Sequence, residues 1–178
     1  MSRRQIHGLT VECVQGDIAN QPDIDAVANA ANAQLMPGGG VAGAIHRAAG
    51  PGLAEECRPL APISPGDAVI TGAHNLPNGY VIHCLGPVHG RDEPSNELLT
   101  SCYRRALELA EEKGLASVAF PSISTGAFGF PMDRAARIAV RTVLEQALRL
   151  TSVRLVRFVL FSKEDQSVFA EALEESAG

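Results

Sequence analysis

Residues 25–51 read DAVANAANAQLMPGGGVAGAIHRAAGP, and the fold follows from this stretch. The short apolar run at 26–29 is bounded by Asp25 and by asparagines, as expected of a buried strand. The segment Pro37-Gly38-Gly39-Gly40-Val41-Ala42-Gly43 then leads into a helix expected over 41–49, which carries Ala44, Ile45 and His46. Successive glycines let the backbone take positive φ and approach a ligand closely. A helix start adds unpaired N–H groups and about half a positive charge. Together they make a phosphate site that needs no basic side chain.

Gly38, Gly40 and Gly43 also satisfy the dinucleotide pattern GxGxxG, but the context is wrong for it. Eight residues (AANAQLMP) separate the strand from the glycines, where a dinucleotide fold has a tight turn. The acidic residue required further on would be Glu55 or Glu56, and both fall in a helical stretch. No Gly-Lys-Ser/Thr follows, so a Walker A loop is excluded. A plain flexible turn is the bland alternative.

Working outward, short apolar runs alternate with longer amphipathic ones, the pattern of an α/β layered domain. Strands are expected at 9–15, 26–29, 68–72, 81–85, 118–121 and 155–161. Helices are expected at 41–49, 52–58, 95–113, 132–150 and 165–174. In the fourth helix Ala135, Ile138, Ala139, Thr142, Val143 and Gln146 share one side, beside a second row at Val140, Leu144 and Ala147, so it should pack on the sheet. The three prolines of 58–66 (RPLAPISPG) are taken to forbid a regular element there. No repeat or linker divides the chain, and residues 1–178 read as one domain. In such folds ligands bind beyond the carboxyl ends of the strands. Three unusual segments stand there: Gly16-Asp17-Ile18, residues 29–43 and residues 122–130.

The composition narrows the function classes. With 46% hydrophobic and 20% charged residues the chain is of ordinary globular type. A formal net charge of −5 and 4% aromatic content argue against a nucleic-acid binder, which needs a basic face and stacking platforms. An anionic ligand would therefore be held by backbone N–H groups. The four cysteines form no CxxC pair and the five histidines have no zinc spacing, so neither metal nor cofactor is expected. No apolar run is long enough to span a bilayer, which makes the cytoplasm the default expectation.

Taken together, Gly16-Asp17-Ile18, residues 25–51 and VAFPSISTGAFGFP at 118–131 resemble the macrodomain family, in its bacterial branch related to the MacroD type. Order and spacing match from about Leu9 to Leu173. The resemblance implies a three-layer α/β/α fold with a mixed central sheet, and ADP-ribose as ligand. It also implies hydrolysis of an ester at the distal ribose, in O-acetyl-ADP-ribose or in mono-ADP-ribosylated proteins.

Residue by residue, the resemblance makes Asp17 the reader of the adenine amine, with a main-chain contact from Ile18. It places Asn32 on the distal ribose, and Gly39, Gly40, Val41, Ala42 and Gly43 on the diphosphate. Ser124, Thr125, Gly126, Ala127 and Phe128 match the second phosphate loop, with Phe128 over the distal ribose. Phe161 matches the aromatic against the adenine. Each has a bland alternative: a turn cap for Asp17, a turn former for Asn32 and core packing for Phe161. Asn29 is expected to fix the loop's backbone.

One position departs from the family pattern. The residue ten positions after Asn32 is an aspartate in MacroD-type hydrolases and is Ala42 here. A methyl group can neither accept a proton nor orient a water. The expected route is then substrate-assisted, with the diphosphate orienting water, Asn32 holding the ribose and His46 assisting, unless His46 is structural. The rival reading is a module that binds ADP-ribose without turnover.

Overall fold

The computed structural model describes residues 2–176. Seven strands form one sheet: β1 (Ser2–Ile6), β2 (Leu9–Gln15), β3 (Ala26–Ala30), β4 (Ala68–Gly72), β5 (Tyr80–Cys84), β6 (Ser117–Phe120) and β7 (Leu155–Leu160). Their spatial order is β1-β2-β7-β6-β3-β5-β4. The inner five are parallel, and β1 and β4 pair antiparallel at the two edges. This is the mixed sheet expected. Because the five inner strands run the same way, the loops after β2, β7, β6, β3 and β5 all emerge on one edge.

Helices cover both faces. On one side lie α1 (Gly40–Ala49) and α2 (Pro51–Cys57), over Val27, Val81, Ala119 and Val159. On the other lie α3 (Ser95–Glu112), α4 (Met132–Gln146) and α5 (Lys163–Glu175), over Ala28, Ile82, Phe120 and Phe158. Successive residues of these parallel strands therefore serve opposite layers, each apolar where a helix covers it. Tyr103 of α3, Phe120, Phe158 and Phe169 of α5 join in one aromatic core, with ring centroids 5.1 Å apart for Tyr103–Phe120 and 5.2 Å for Phe158–Phe169.

The expected elements match to within a few residues, with three differences. β1 was not anticipated from its polar sequence, SRRQI. It is an edge strand, and His7 and Gly8 take positive φ (49° and 82°) to turn it onto β2, as a two-residue hairpin requires. The fourth helix stops at Gln146 and tightens into a 3-10 turn over Ala147–Arg149. The proline-rich segment does contain one regular turn, a 3-10 helix at Arg58–Leu60. Pro59 lies at its start, where a missing N–H costs nothing.

Candidate functional site

A cleft with a volume of about 380 Å³ opens where β3, β5 and β6 end. Its floor is Ala30, Ala31 and Cys84; one wall is the loop from Asn32 to Ala42, and the other runs from Ser122 to Phe128. The volume is that of a small-molecule site.

The first wall is shaped by Asn32 and the glycines. Asn32 Oδ1 accepts the Met36 N–H at 3.1 Å, and its Nδ2 donates to the Met36 carbonyl at 2.8 Å. This side chain folds the loop, the role expected of Asn29. It still faces the cleft, where one amide hydrogen and further lone pairs remain for a ligand. Gly40 takes φ +56°, the left-handed region that favours glycine, with open space where a Cβ would stand. At Gly43 a Cβ would lie 2.5 Å from the Gly38 carbonyl oxygen; only glycine lets the loop lie on the first turn of α1. Gly39 caps that helix without a side-chain bond, and no acidic residue stands in its first turn. Its leading N–H groups are thus free to meet an anion.

The second wall is tied to the core. Tyr103 Oη, fully buried, accepts the Ile123 N–H at 3.2 Å. Burial drives this phenol well above its ordinary pKa, so it remains a neutral hydroxyl. Ser124 follows in a left-handed conformation, φ +69°, and its hydroxyl is buried without a protein partner. The Phe130 N–H closes the loop on the Ser124 carbonyl at 2.9 Å, and the His89 N–H holds the Phe128 carbonyl at 2.9 Å. Gly86, just beyond β5, was not singled out from the sequence. A Cβ there would overlap Ser124 Oγ and lie 2.6 Å from Ile123 Cγ2, so its absence of a side chain sets how closely this wall approaches the floor.

Among the described residues, no acidic or basic side chain lines the cleft. Its one titratable member is Cys84, whose thiol burial and the neighbouring Cys102 push far up. An anion entering here meets backbone N–H dipoles, one amide and a few hydroxyls. Among the described residues, no group of three His, Cys, Asp or Glu side chains could hold a metal ion.

Asp17, Ile18 and Phe161 lie along the same sheet edge, beyond β2 and β7. The two strand ends are joined by the Gly16 N–H to the Leu160 carbonyl at 2.9 Å. Asp17 is exposed; its Oδ1 accepts the Ala19 N–H at 2.9 Å, so it does cap a turn. Ile18 is buried. Phe161 is 92% exposed, which removes the core-packing alternative. Gly39, Gly40, Val41, Ala42, Ser124, Gly126, Ala127 and Phe128 all line the cleft, whereas Gly43 and Thr125 stand behind its walls.

Two expectations need correction. His46 is not in the cleft. It stands one turn below Ala42 on the inward side of α1, is 6% exposed, and neither ring nitrogen has a hydrogen-bond partner. Burial holds its pKa below the ordinary value. The spacing that put it near Ala42 also stacked it beneath the helix start, away from the opening. Asn29 does not fix the loop's backbone: it stays within β3, paired in register with His83 of β5. Its Nδ2 is 3.1 Å from His83 Nδ1. His83, an unremarked histidine within an apolar strand, is fully buried and also reaches Thr71 Oγ1 at 2.9 Å.

A family model described as Macro domain matches residues 28–139, which span both walls and the floor of the cleft. The chain belongs to the Macro domain family. It is 48% identical over 170 residues to a Macro domain-containing protein of Caldanaerobacter subterraneus subsp. tengcongensis, covering 93% of this chain and 96% of that one. A Macro domain-containing protein of Streptomyces coelicolor is 49% identical over 172 residues, covering 93% and 98%. Among solved structures, the Oceanobacillus iheyensis macrodomain with ADP superposes with a TM-score of 0.94 at 40% identity, covering 98% of this chain and 95% of that one. The Trypanosoma brucei macrodomain in complex with ADP-ribose gives 0.83 at 34% identity, covering 92% and 68%.

Proposed function

We propose that this macrodomain binds ADP-ribose across the strand-end edge and hydrolyses an ester at the distal ribose, in O-acetyl-ADP-ribose or in proteins mono-ADP-ribosylated on acidic side chains. The observation that carries the reading is a ligand-sized cleft with no acidic or basic lining, framed by a glycine-rich helix start and a second glycine-bearing loop. Related macrodomains of known structure hold ADP and ADP-ribose. In this assignment the diphosphate lies between Gly39–Ala42 and Ser124–Ala127, and Asn32 and Phe128 take the distal ribose. Asp17, Ile18 and Phe161 take the adenine. Residues 1–178 act as one ligand-binding unit, and among the described residues no helix is long and apolar enough to cross a membrane; the reading places the protein in the cytoplasm.

With a methyl at Ala42 and His46 buried below, no protein side chain in the cleft is a general base. The water is therefore oriented by the ligand's own diphosphate, bent and fixed by the loop amides. Water attacks the acyl carbonyl carbon and gives a proton to a diphosphate oxygen. The acyl–oxygen bond to the ribose then breaks, the ribose oxygen takes that proton back from the diphosphate, and a free carboxylic acid leaves. Neither metal nor cofactor enters this route.

A second reading, a module that binds ADP-ribose without turnover, is favoured by Ala42 alone. Turnover of O-acetyl-ADP-ribose and of a Glu-linked ADP-ribosyl protein separates the two, with wild type measured beside Asn32→Ala. Turnover in the wild type and its loss in the variant support the hydrolase. Tight ADP-ribose binding with no turnover of either substrate leaves the binding module.

A further inference from the structure

The loop that carries Asp17 is governed by a side chain from another strand. Arg157 projects from β7 opposite Glu12 of β2, and its side chain is 15% exposed. Its Nε donates to Glu12 Oε2 at 2.8 Å, while Nη1 and Nη2 grip the two oxygens of Asp23 at 2.9 and 2.8 Å. Nη1 also donates to Gln21 Oε1 at 2.9 Å. The far end of Gln21 continues the chain, its Nε2 donating to the Asp17 carbonyl at 2.9 Å. Asn78 Nδ2 holds the Gln21 carbonyl from the other side at 2.7 Å.

We infer that Arg157 is a positioning residue for base recognition: acting through Gln21, it fixes the backbone of Asp17 so that the carboxylate faces an adenine amine. The inference rests on the reading that Asp17 meets the base. Asp17 is exposed and its carboxylate accepts the neighbouring Ala19 N–H, while its carbonyl accepts both the Asn20 N–H at 2.9 Å and Gln21 Nε2, the side chain that ties this turn to β7. A half-desolvated ion pair adds little net stability, but a planar guanidinium serving three side chains at once is a geometric constraint. A lysine ammonium has the charge without the fork. Glu12 and Asp23 are the charged partners, and Asp23 is held below its ordinary pKa by the Arg157 bonds.

The test compares ADP-ribose with its inosine analogue, in which the adenine amine is replaced by a carbonyl, by titration calorimetry. The wild type should prefer ADP-ribose by on the order of tenfold, the worth of one hydrogen bond to a carboxylate. Asp17→Ala, Gln21→Ala and Arg157→Lys should each erase that preference by weakening ADP-ribose alone. Gln21→Ala is the decisive variant, since it cuts the link to Asp17 and leaves both ion pairs in place. If Asp17→Ala erases the preference while Gln21→Ala and Arg157→Lys keep it, the Arg157 inference fails and the adenine reading stands. Equal weakening of both ligands reduces Arg157 to a structural role and overturns the inference. A wild type without preference overturns the adenine reading, and the inference with it.

Discussion

Acidification should destabilise this protein through a histidine that never meets the ligand. His83 is fully buried. Thr71 Oγ1 donates its hydrogen to the Gly72 carbonyl at 3.0 Å, so at 2.9 Å it must accept from His83 Nε2–H. His83 Nδ1 is then the lone-pair nitrogen and accepts from Asn29 Nδ2. A second proton would place Nδ1–H against an amide N–H, in an apolar layer. Burial first, and the His46 ring second, hold the His83 pKa down to about 3. The unfolded chain titrates near an ordinary value of about 6.5.

The folded state therefore binds fewer protons than the unfolded state between these two values. Its advantage is fully present above about 6.5 and is lost as the pH falls toward 3. At 1.36 kcal/mol per unit, moving from pH 8 to pH 5 removes about 2 kcal/mol. His83→Gln keeps a neutral hydrogen-bonding side chain and cannot titrate. Urea unfolding of both proteins at half-unit steps from pH 8 to pH 5 isolates the term, since carboxylates and other histidines are common to both. The wild-type curve should fall about 2 kcal/mol further than that of the variant. Parallel curves would refute the reasoning, whatever the offset between them.

Two further substitutions probe the cleft from opposite directions. Gly86→Ala forces a methyl into Ser124 and Ile123; it should cost about 1–3 kcal/mol in urea unfolding and weaken ADP-ribose by displacing the second wall. A variant with wild-type affinity would show that the wall tolerates the shift. Phe161→Ala removes a 92% exposed ring, so stability should change by less than about 0.5 kcal/mol while ADP-ribose binding by calorimetry loses about 1–3 kcal/mol of stacking. Unchanged affinity would take Phe161 out of the base site.

What could be read from the sequence was what is local in it. Gly40 at φ +56° and the free helix start after Gly39 are backbone requirements, and runs of glycine announce them. The largely apolar or β-branched runs at β6 and β7 pointed to a sheet covered on both faces. What failed was long-range. Gly86 matters only because the loop after β6 arrives at 2.6 Å from its missing Cβ. His46 lies at the helical spacing that brings it beneath Ala42, yet spacing cannot say whether that face looks into a cleft or into a core. The loop-fixing role fell to Asn32 rather than Asn29 for a similar reason: Asn29, the last residue of the expected strand, spends its amide on His83 of the neighbouring strand, a partner that local sequence does not announce. Ser124 at φ +69° gave no warning, since serine seldom takes that conformation.

The acidic balance of the chain and the proposed anionic ligand are reconciled by where charge is absent. Anion capture by lysine or arginine would be screened by salt and by the surrounding carboxylates. Amide N–H groups cannot be titrated, and their dipoles are fixed before the ligand arrives, so little reorganisation is needed on binding. That advantage holds only while the walls keep their spacing, and the spacing is set at positions where a side chain would collide: Gly43 against the Gly38 carbonyl and Gly86 against Ile123. Below the floor, Asn29 and His83 are held in a neutral pair, so no buried charge competes with the dipoles above. The uncharged lining, with a methyl at Ala42, also leaves the cleft without a side-chain base, which is why the proposed turnover draws its acid–base chemistry from the ligand.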